Sequence, residues 1–301
     1  MQKILVLVLL LFSVSIHTAQ NQFSESITKQ EIKDHLYYLA SDELEGRDTG
    51  SEGQKKAAEF IAAEFKEYGL IPVFKEVQEP YFQKFTYSFF PKTENVLGYI
   101  PADKKNAEWV VIGAHYDHLG KKGNKIYNGA DDNASGTTAM IEIAEALSKA
   151  KSSGIKMNKN ILFIAFSAEE KGLIGSKHFC ESDIIDTLDM HLMINMDMIG
   201  KSIRYGLVES FKEADNEHFR EDTSYREDYV YLFRKGKHTR KYQKYSKKRG
   251  KQRKFKIDTH PGSIVRLVYK SSSDHKPFYD MGVPIMVYFT GLHPDYHTER
   301  D

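Results

Sequence analysis

Two adjacent carboxylates, Glu169 and Glu170, close the stretch ILFIAFSAEE at residues 161–170. Its six apolar residues read as a buried strand. Like charges side by side at the end of such a strand repel and cost desolvation. A divalent cation would relieve that repulsion, with one carboxylate as ligand and its neighbour carrying a proton beside it. Taken alone, the pair reads as well as a solvated loop start. Similar residues recur where other apolar segments stop: His115, Asp117 and His118; Asp197; and Tyr296 with His297. Asp131 and Asp132 lie in the loop NGADDNASG, ahead of a helical segment. Two histidines with several carboxylates make a nitrogen and oxygen ligand set suited to zinc, with no thiolate.

The elements that must position these residues alternate between strand and helix. Residues 26–40 suggest a short helix. Ser51 and Gln54 resemble a capping box opening a second, which runs to about residue 68 with Ala58, Ile61 and Phe65 on one face. Strand-like text fills residues 79–100 and 108–114. A helix is expected over 135–149 with Ala139, Ile143 and Leu147 on one side, and another around 173–179. Further strands follow at 161–166, 192–196 and 284–289. This order predicts an α/β fold: a three-layer sandwich with a largely parallel mixed central sheet covered by helices on both faces. In such sheets, sites gather outside the carboxyl ends of the strands. The fold therefore brings the chemistry-bearing residues together.

With 301 residues, 41% hydrophobic and 28% charged, the chain is long enough for one large α/β domain or two small ones. Its net charge of +1 implies no polyanion partner for the whole molecule, but the average conceals an asymmetry. Between residues 234 and 256 there are 13 Lys and Arg and no acidic residue; the remainder has 30 basic against 42 acidic residues, a net of −12. No base-reading pattern accompanies the run, so it reads as a solvated charged segment and no nucleic-acid partner is expected. The wider stretch 201–270 interrupts the alternation and reads as an insertion or loosely packed surface segment. Residues 1–19 look like an export signal, with Lys3 followed by an apolar core over 4–16 that is too short to span a bilayer. Cleavage after Ala19 would leave a single domain, 20–301, periplasmic or secreted. The single cysteine, Cys180, excludes an intrachain disulfide and reads as a small core residue.

In order along the chain, GAHYDHLG, NGADDNASG, FSAEEKGLIGS, NMDMIG, SSDHKPF and FTGLHPDYHTERD resemble the co-catalytic dizinc aminopeptidases of the M28 peptidase family. The similarity covers residues 38–200 and 271–301. It implies two zinc ions per chain and peptide substrates with a free N-terminus. By the same resemblance, Asp131 bridges the ions, His115 and Asp197 complete one site, and Glu170 and His297 complete the other. Glu169 becomes the general base. Asp117 orients the His115 imidazole through its carboxylate, and Tyr296 stabilises the oxyanion. The peptide link between Asp131 and Asp132 would be cis. His118 is expected at the surface or behind the ligands, and Asp274 and His275 in shaping the pocket. Residues 201–270 match the family poorly. The chain ends four residues past His297, so a short C-terminus is expected. Two other functions fit the same fold: a glutaminyl-cyclase-like acyltransferase with one zinc, and an inactive peptide-binding relative.

Overall fold

A computed structural model describes residues 23, 25–74, 78–86, 92–201, 229–259 and 272–301. The expected export signal, and residues 202–228 and 260–270 of the interrupting stretch, lie outside the described residues.

Three helices cover one face of the sheet. Thr28 opens α1 (Lys29–Leu39) through a reciprocal capping box with Glu31. Ser51 caps α2 (Glu52–Glu67) by accepting from the Gln54 amide. The expected return bond from Gln54 is absent, because its side chain accepts from the Gly50 amide and donates to the Ser167 hydroxyl. Helix α3 (Gly136–Ser152) follows an irregular turn over Ala130–Ser135. Its deepest face is Thr137, Met140, Ile141 and Ala144, while the expected stripe of Ala139, Ile143 and Leu147 is half-buried beside it. A helix that lies flat on a sheet and also touches two neighbouring helices buries more than one stripe, and the apolar pattern alone did not rank them.

Strands β1 (Ile71–Pro72) and β2 (Phe82–Phe85) both run antiparallel to β3 (Thr93–Ile100). The sheet continues through β4 (Trp109–His115), β7 (Asn160–Phe166), β8 (Met190–Met196) and β11 (Ile285–Phe289), with β5 (Gly120–Lys122) and β6 (Lys125–Tyr127) forming a separate hairpin. With β9 (Tyr229–Lys235) and β10 (Lys256–Asp258) at one edge, its order is β1-β3-β7-β4-β8-β11-β9-β10, with β2 also on β3, nine strands in all. The four central strands β7, β4, β8 and β11 are mutually parallel. Their residues alternate between two cores. In β7, Phe163 and Ala165 face α2 and α3, whereas Leu162, Ile164 and Phe166 face Phe179, Cys180 and Phe278 on the other side. Cys180 is a buried core residue, as its sequence setting implied. The second face is covered by α4 (Ile174–Cys180), α5 (Asp183–Asp186) and α7 (His275–Asp280).

The expectation of an insertion or loose surface segment is corrected over residues 229–259. Here β9 (Tyr229–Lys235) pairs antiparallel with β11, α6 (Thr239–Gln252) packs against it, and β10 (Lys256–Asp258) closes the edge. The basic residues hid this element: Tyr242, Ser246 and Gly250 form its inward seam, spaced four apart, too few apolar residues to register in composition. Tyr242 joins the cluster of Leu192, Leu232 and Met286, and the Ser246 hydroxyl meets that of Tyr288. Among the described residues, no helix is long and apolar enough to cross a membrane.

Candidate metal centre

Because β4, β7, β8 and β11 run in one direction, their carboxyl ends open on one edge of the sheet. His115 is the last residue of β4, Glu169 and Glu170 follow β7, and Asp197 follows β8. The turn after β11 brings back His293, Tyr296 and His297. Of these, His115, Glu170, Asp197 and His297 lie together with a residue from the turn before α3. That residue is Asp132.

Two clusters share the Asp132 carboxylate. His115, Asp132 and Asp197 each place one ligand atom within 4.8 Å of the others, as do His118, Asp132 and Glu170. Asp132 Oδ1 lies 3.2 Å from His115 Nε2, which is 3.5 Å from Asp197 Oδ1. The other oxygen, Oδ2, lies 3.1 Å from His297 Nε2 and 3.8 Å from His118 Nδ1. Glu170 Oε1 closes this outer cluster, 2.9 Å from His118 Nδ1 and 3.4 Å from His297 Nε2.

Asp131, the expected bridge, points elsewhere. Its Oδ1 accepts from the amides of Gly200 (2.7 Å) and Lys201 (3.1 Å), and its Oδ2 lies 3.1 Å from His293 Nε2. Its own amide donates to Asp301 Oδ1 at 3.0 Å. Asp131 thus ties the loop after β8 to the turn at residues 293–301, and the carboxylate common to the two clusters is that of Asp132. The cis peptide bond is likewise one residue on, between Asp132 and Asn133. Two adjacent buried aspartates are indistinguishable by residue type; only the backbone direction assigns them.

His118 does not lie at the surface. It is fully buried and its ring sits edge-on to that of His297, with centroids 5.7 Å apart. Asp117 supports the site differently from what was expected. Its main-chain carbonyl, not its carboxylate, meets His115 Nδ1 at 3.1 Å; the nearer carboxylate oxygen is 3.9 Å away. The carboxylate instead accepts from the Thr49 hydroxyl (3.0 Å) and the Glu169 amide (3.1 Å). Asp117 therefore positions the Glu169 backbone, while Ala168 before it adopts a left-handed conformation at φ 58°.

Arg47 was not singled out from the sequence, yet it is fully buried behind the site. Its guanidinium donates to the carbonyls of Tyr116 (2.8 Å), Asn128 (2.7 Å), Gly129 (3.0 Å) and Leu39. One side chain thereby fixes the end of β4, the loop before Asp132 and the end of α1. Burial lowers its pKa to about 10, opposed by Asp117, Asp132, Asp301 and Glu170. The available signal was EGRD, a lone Arg after a glycine in an otherwise acidic loop. Gly46 adopts φ 72°, and a Cβ there would overlap the Tyr127 and Gly120 carbonyls.

The electrostatics favour cations. Although burial opposes it, His115 and His297 hold the Asp132 carboxyl well below the usual carboxylate range. Burial pushes the Glu169 carboxyl well above its ordinary range, against the pull of His115 and helped by Asp274, Asp197 and Glu170. Tyr296 stacks on His297 with centroids 3.8 Å apart. Burial, then Asp132, Glu170, Asp197 and Glu169, raise its hydroxyl pKa, so the hydroxyl remains a proton donor beside the acidic cluster. Asp274 and His275 are buried next to this pocket, at the start of α7.

The residues fit a metal pair. Both nitrogens of His118, Oε1 of Glu170 and Nε2 of His297 are sealed from solvent and make no hydrogen bond, although they crowd within a few ångströms. Buried polar atoms converge without hydrogen-bond geometry where an ion satisfies them. Nitrogen and carboxylate donors without sulfur suit zinc.

The fold is shared with solved aminopeptidases. The LapA aminopeptidase from Legionella pneumophila superposes with a TM-score of 0.66 at 20% identity, covering 93% of this chain and 67% of that one. BSAP, a zinc aminopeptidase from Bacillus subtilis, gives 0.60 at 18% identity, covering 89% of each chain. Aminopeptidase YwaD of Bacillus subtilis is 29% identical over 217 residues, which is 69% of this chain and 39% of the relative. The chain spans about two fifths or less of the length of the curated relatives it matches. Peptidase family M28 matches residues 95–301, from β3 through the last turn. The chain belongs to that family.

Proposed function

We propose that the chain is an exported zinc aminopeptidase holding two zinc ions and removing N-terminal residues from peptides. The observation that carries this reading is the two-sided Asp132 carboxylate, with one oxygen toward His115 and Asp197 and the other toward Glu170, His118 and His297. The first group would hold the inner ion and the second the outer one. Bound zinc supplies Lewis acidity and a water of lowered pKa. Glu169 stands beside both sets without belonging to either, the place for a base that takes the water's proton and returns it to the leaving amine. Tyr296 offers its hydroxyl proton to the developing oxyanion. The carboxylates of Asp132, Glu170 and Asp197 attract a protonated α-amino group, which favours substrates with a free N-terminus. Lys3 and the apolar run over 4–16 support export.

The test is Glu169→Gln. The variant retains two zinc per chain by elemental analysis while turnover of aminoacyl anilides drops by roughly 10²–10⁴-fold. Undiminished turnover in the metal-loaded variant removes Glu169 from the reaction. A single zinc in the wild-type chain points instead to the glutaminyl-cyclase-like chemistry. Inert metal-loaded protein points to a peptide-binding relative.

A further inference from the structure

A second group of carboxylates lies at the junction of α1 and α3, on the side of the turn that carries Asp132. Glu31 of α1 and Glu142 and Glu145 of α3 each place one ligand atom within 4.8 Å of the others. Glu142 and Glu145 are three apart on one helix and so share a face. Each carboxylate has one oxygen committed. Glu31 Oε2 accepts from the Thr28 amide (3.1 Å) and hydroxyl (2.6 Å), Glu142 Oε1 meets His35 Nδ1 at 2.9 Å, and Glu145 Oε1 meets Lys149 Nζ at 2.5 Å. Among the described residues, the second oxygen of all three has no protein partner.

The decisive atom is Glu142 Oε2. Glu142 is 2% exposed, and this oxygen is sealed from solvent with no hydrogen-bond partner. A buried carboxylate oxygen left unsatisfied is costly, and a surface-type cluster of acids would instead turn outward to water. His35 does not remove the need: it is shared, with Nε2 3.6 Å from Glu64 Oε2. Four carboxylates thus face two basic groups, His35 and Lys149. Three carboxylates, one of them with a buried unpartnered oxygen, and no sulfur form a hard, oxygen-rich donor set. Two packed helices impose no strict octahedron, which suits calcium over magnesium.

The geometry points to a calcium site built from Glu31, Glu142 and Glu145 that fastens α1 to α3. It is separate from the metal centre, and its failure would leave the aminopeptidase reading untouched. Its role is mechanical. Helix α3 begins immediately after the Asp132 turn, and α1 packs on that turn as well as on α3, so a cation here would lock the support of the bridging carboxylate.

The full-length chain, supplied with two equivalents of zinc, is titrated with calcium chloride by calorimetry and followed by thermal unfolding. We expect one calcium per chain, unchanged zinc content and a midpoint raised by roughly 3–6 °C at saturation. The double variant Glu31→Gln/Glu145→Gln alters two residues at the rim, folds, keeps its calcium-free anilide turnover, and loses both the binding and the shift. No heat and no shift up to about 10 mM calcium overturns the proposal, as does an equal response in the double variant. Glu142→Gln is the second check. If it melts above wild type in saturating calcium, the buried carboxyl was merely protonated and no cation belongs there.

Discussion

The two halves of the metal centre are built differently. In the inner set His115 and Asp197 stand at strand ends and Asp132 on the turn before α3, and all three are buried. His115 is held by the Asp117 carbonyl, and the Asp197 amide donates to the Tyr288 carbonyl of β11. The outer set draws its last member from a turn. The His297 side chain is 35% exposed and sits at φ 57°. That turn is tied down by the Asp131 network through His293 and Asp301 and by the Lys201–Asp295 ion pair. A buried position and a partly exposed one on a turn thus meet at one carboxylate.

The largest effect should come from the shared residue. Asp132→Asn weakens both positions at once, and we expect loss of at least one zinc per chain with turnover reduced by roughly 10³-fold or more. Asp131→Asn separates the two aspartates. If Asp132 is the bridge, this variant keeps the inner zinc, and the outer ion weakens by roughly 10–100-fold as the terminal turn loosens. Equal loss of both ions in Asp131→Asn would restore Asp131 to the bridge.

Most of the fold was legible because its four central strands are continuous apolar runs ending in chemistry, and that logic alone placed His115, Glu169, Glu170, Asp197 and His297 on one edge. Three things were not legible. The choice between Asp131 and Asp132 depends on the path of an irregular turn, Ala130–Ser135, that residue types do not encode. His118 is three residues past His115 in a loop, where a strand-end rule gives it no direction; the paired bridge of Asp48 with His118 and the donation of its amide to the Arg47 carbonyl turn it inward. Strand β9 and helix α6 were masked by 13 basic residues, since a helix resting on a sheet by a Tyr-Ser-Gly seam leaves almost no apolar signature.

The contrast between the halves also predicts how metal leaves. A chelator titration of the zinc-loaded protein should be biphasic, with one equivalent lost first and the second only at a chelator strength roughly 10-fold higher or more. His297→Ala should abolish the weaker phase and spare the stronger one. Loss of the two ions in one step, in wild type and variant alike, would show that the halves act as a unit.

The smallest effect tests what Asp117 does. Its carboxylate is spent on Thr49 and on the Glu169 amide, whereas the His115 imidazole leans on its main-chain carbonyl, which no side-chain substitution removes. Asp117→Ala should therefore lower kcat by roughly 10-fold, by letting the strained turn at Ala168 move the base. Zinc content and KM should stay near wild type. If the carboxylate were instead what orients His115, the same variant would shed the inner ion before turnover was limited by chemistry, and zinc added in excess would rescue the rate. Rate measured against zinc concentration tells the two apart: a flat response assigns Asp117 to the base, and a saturating one assigns it to the ligand.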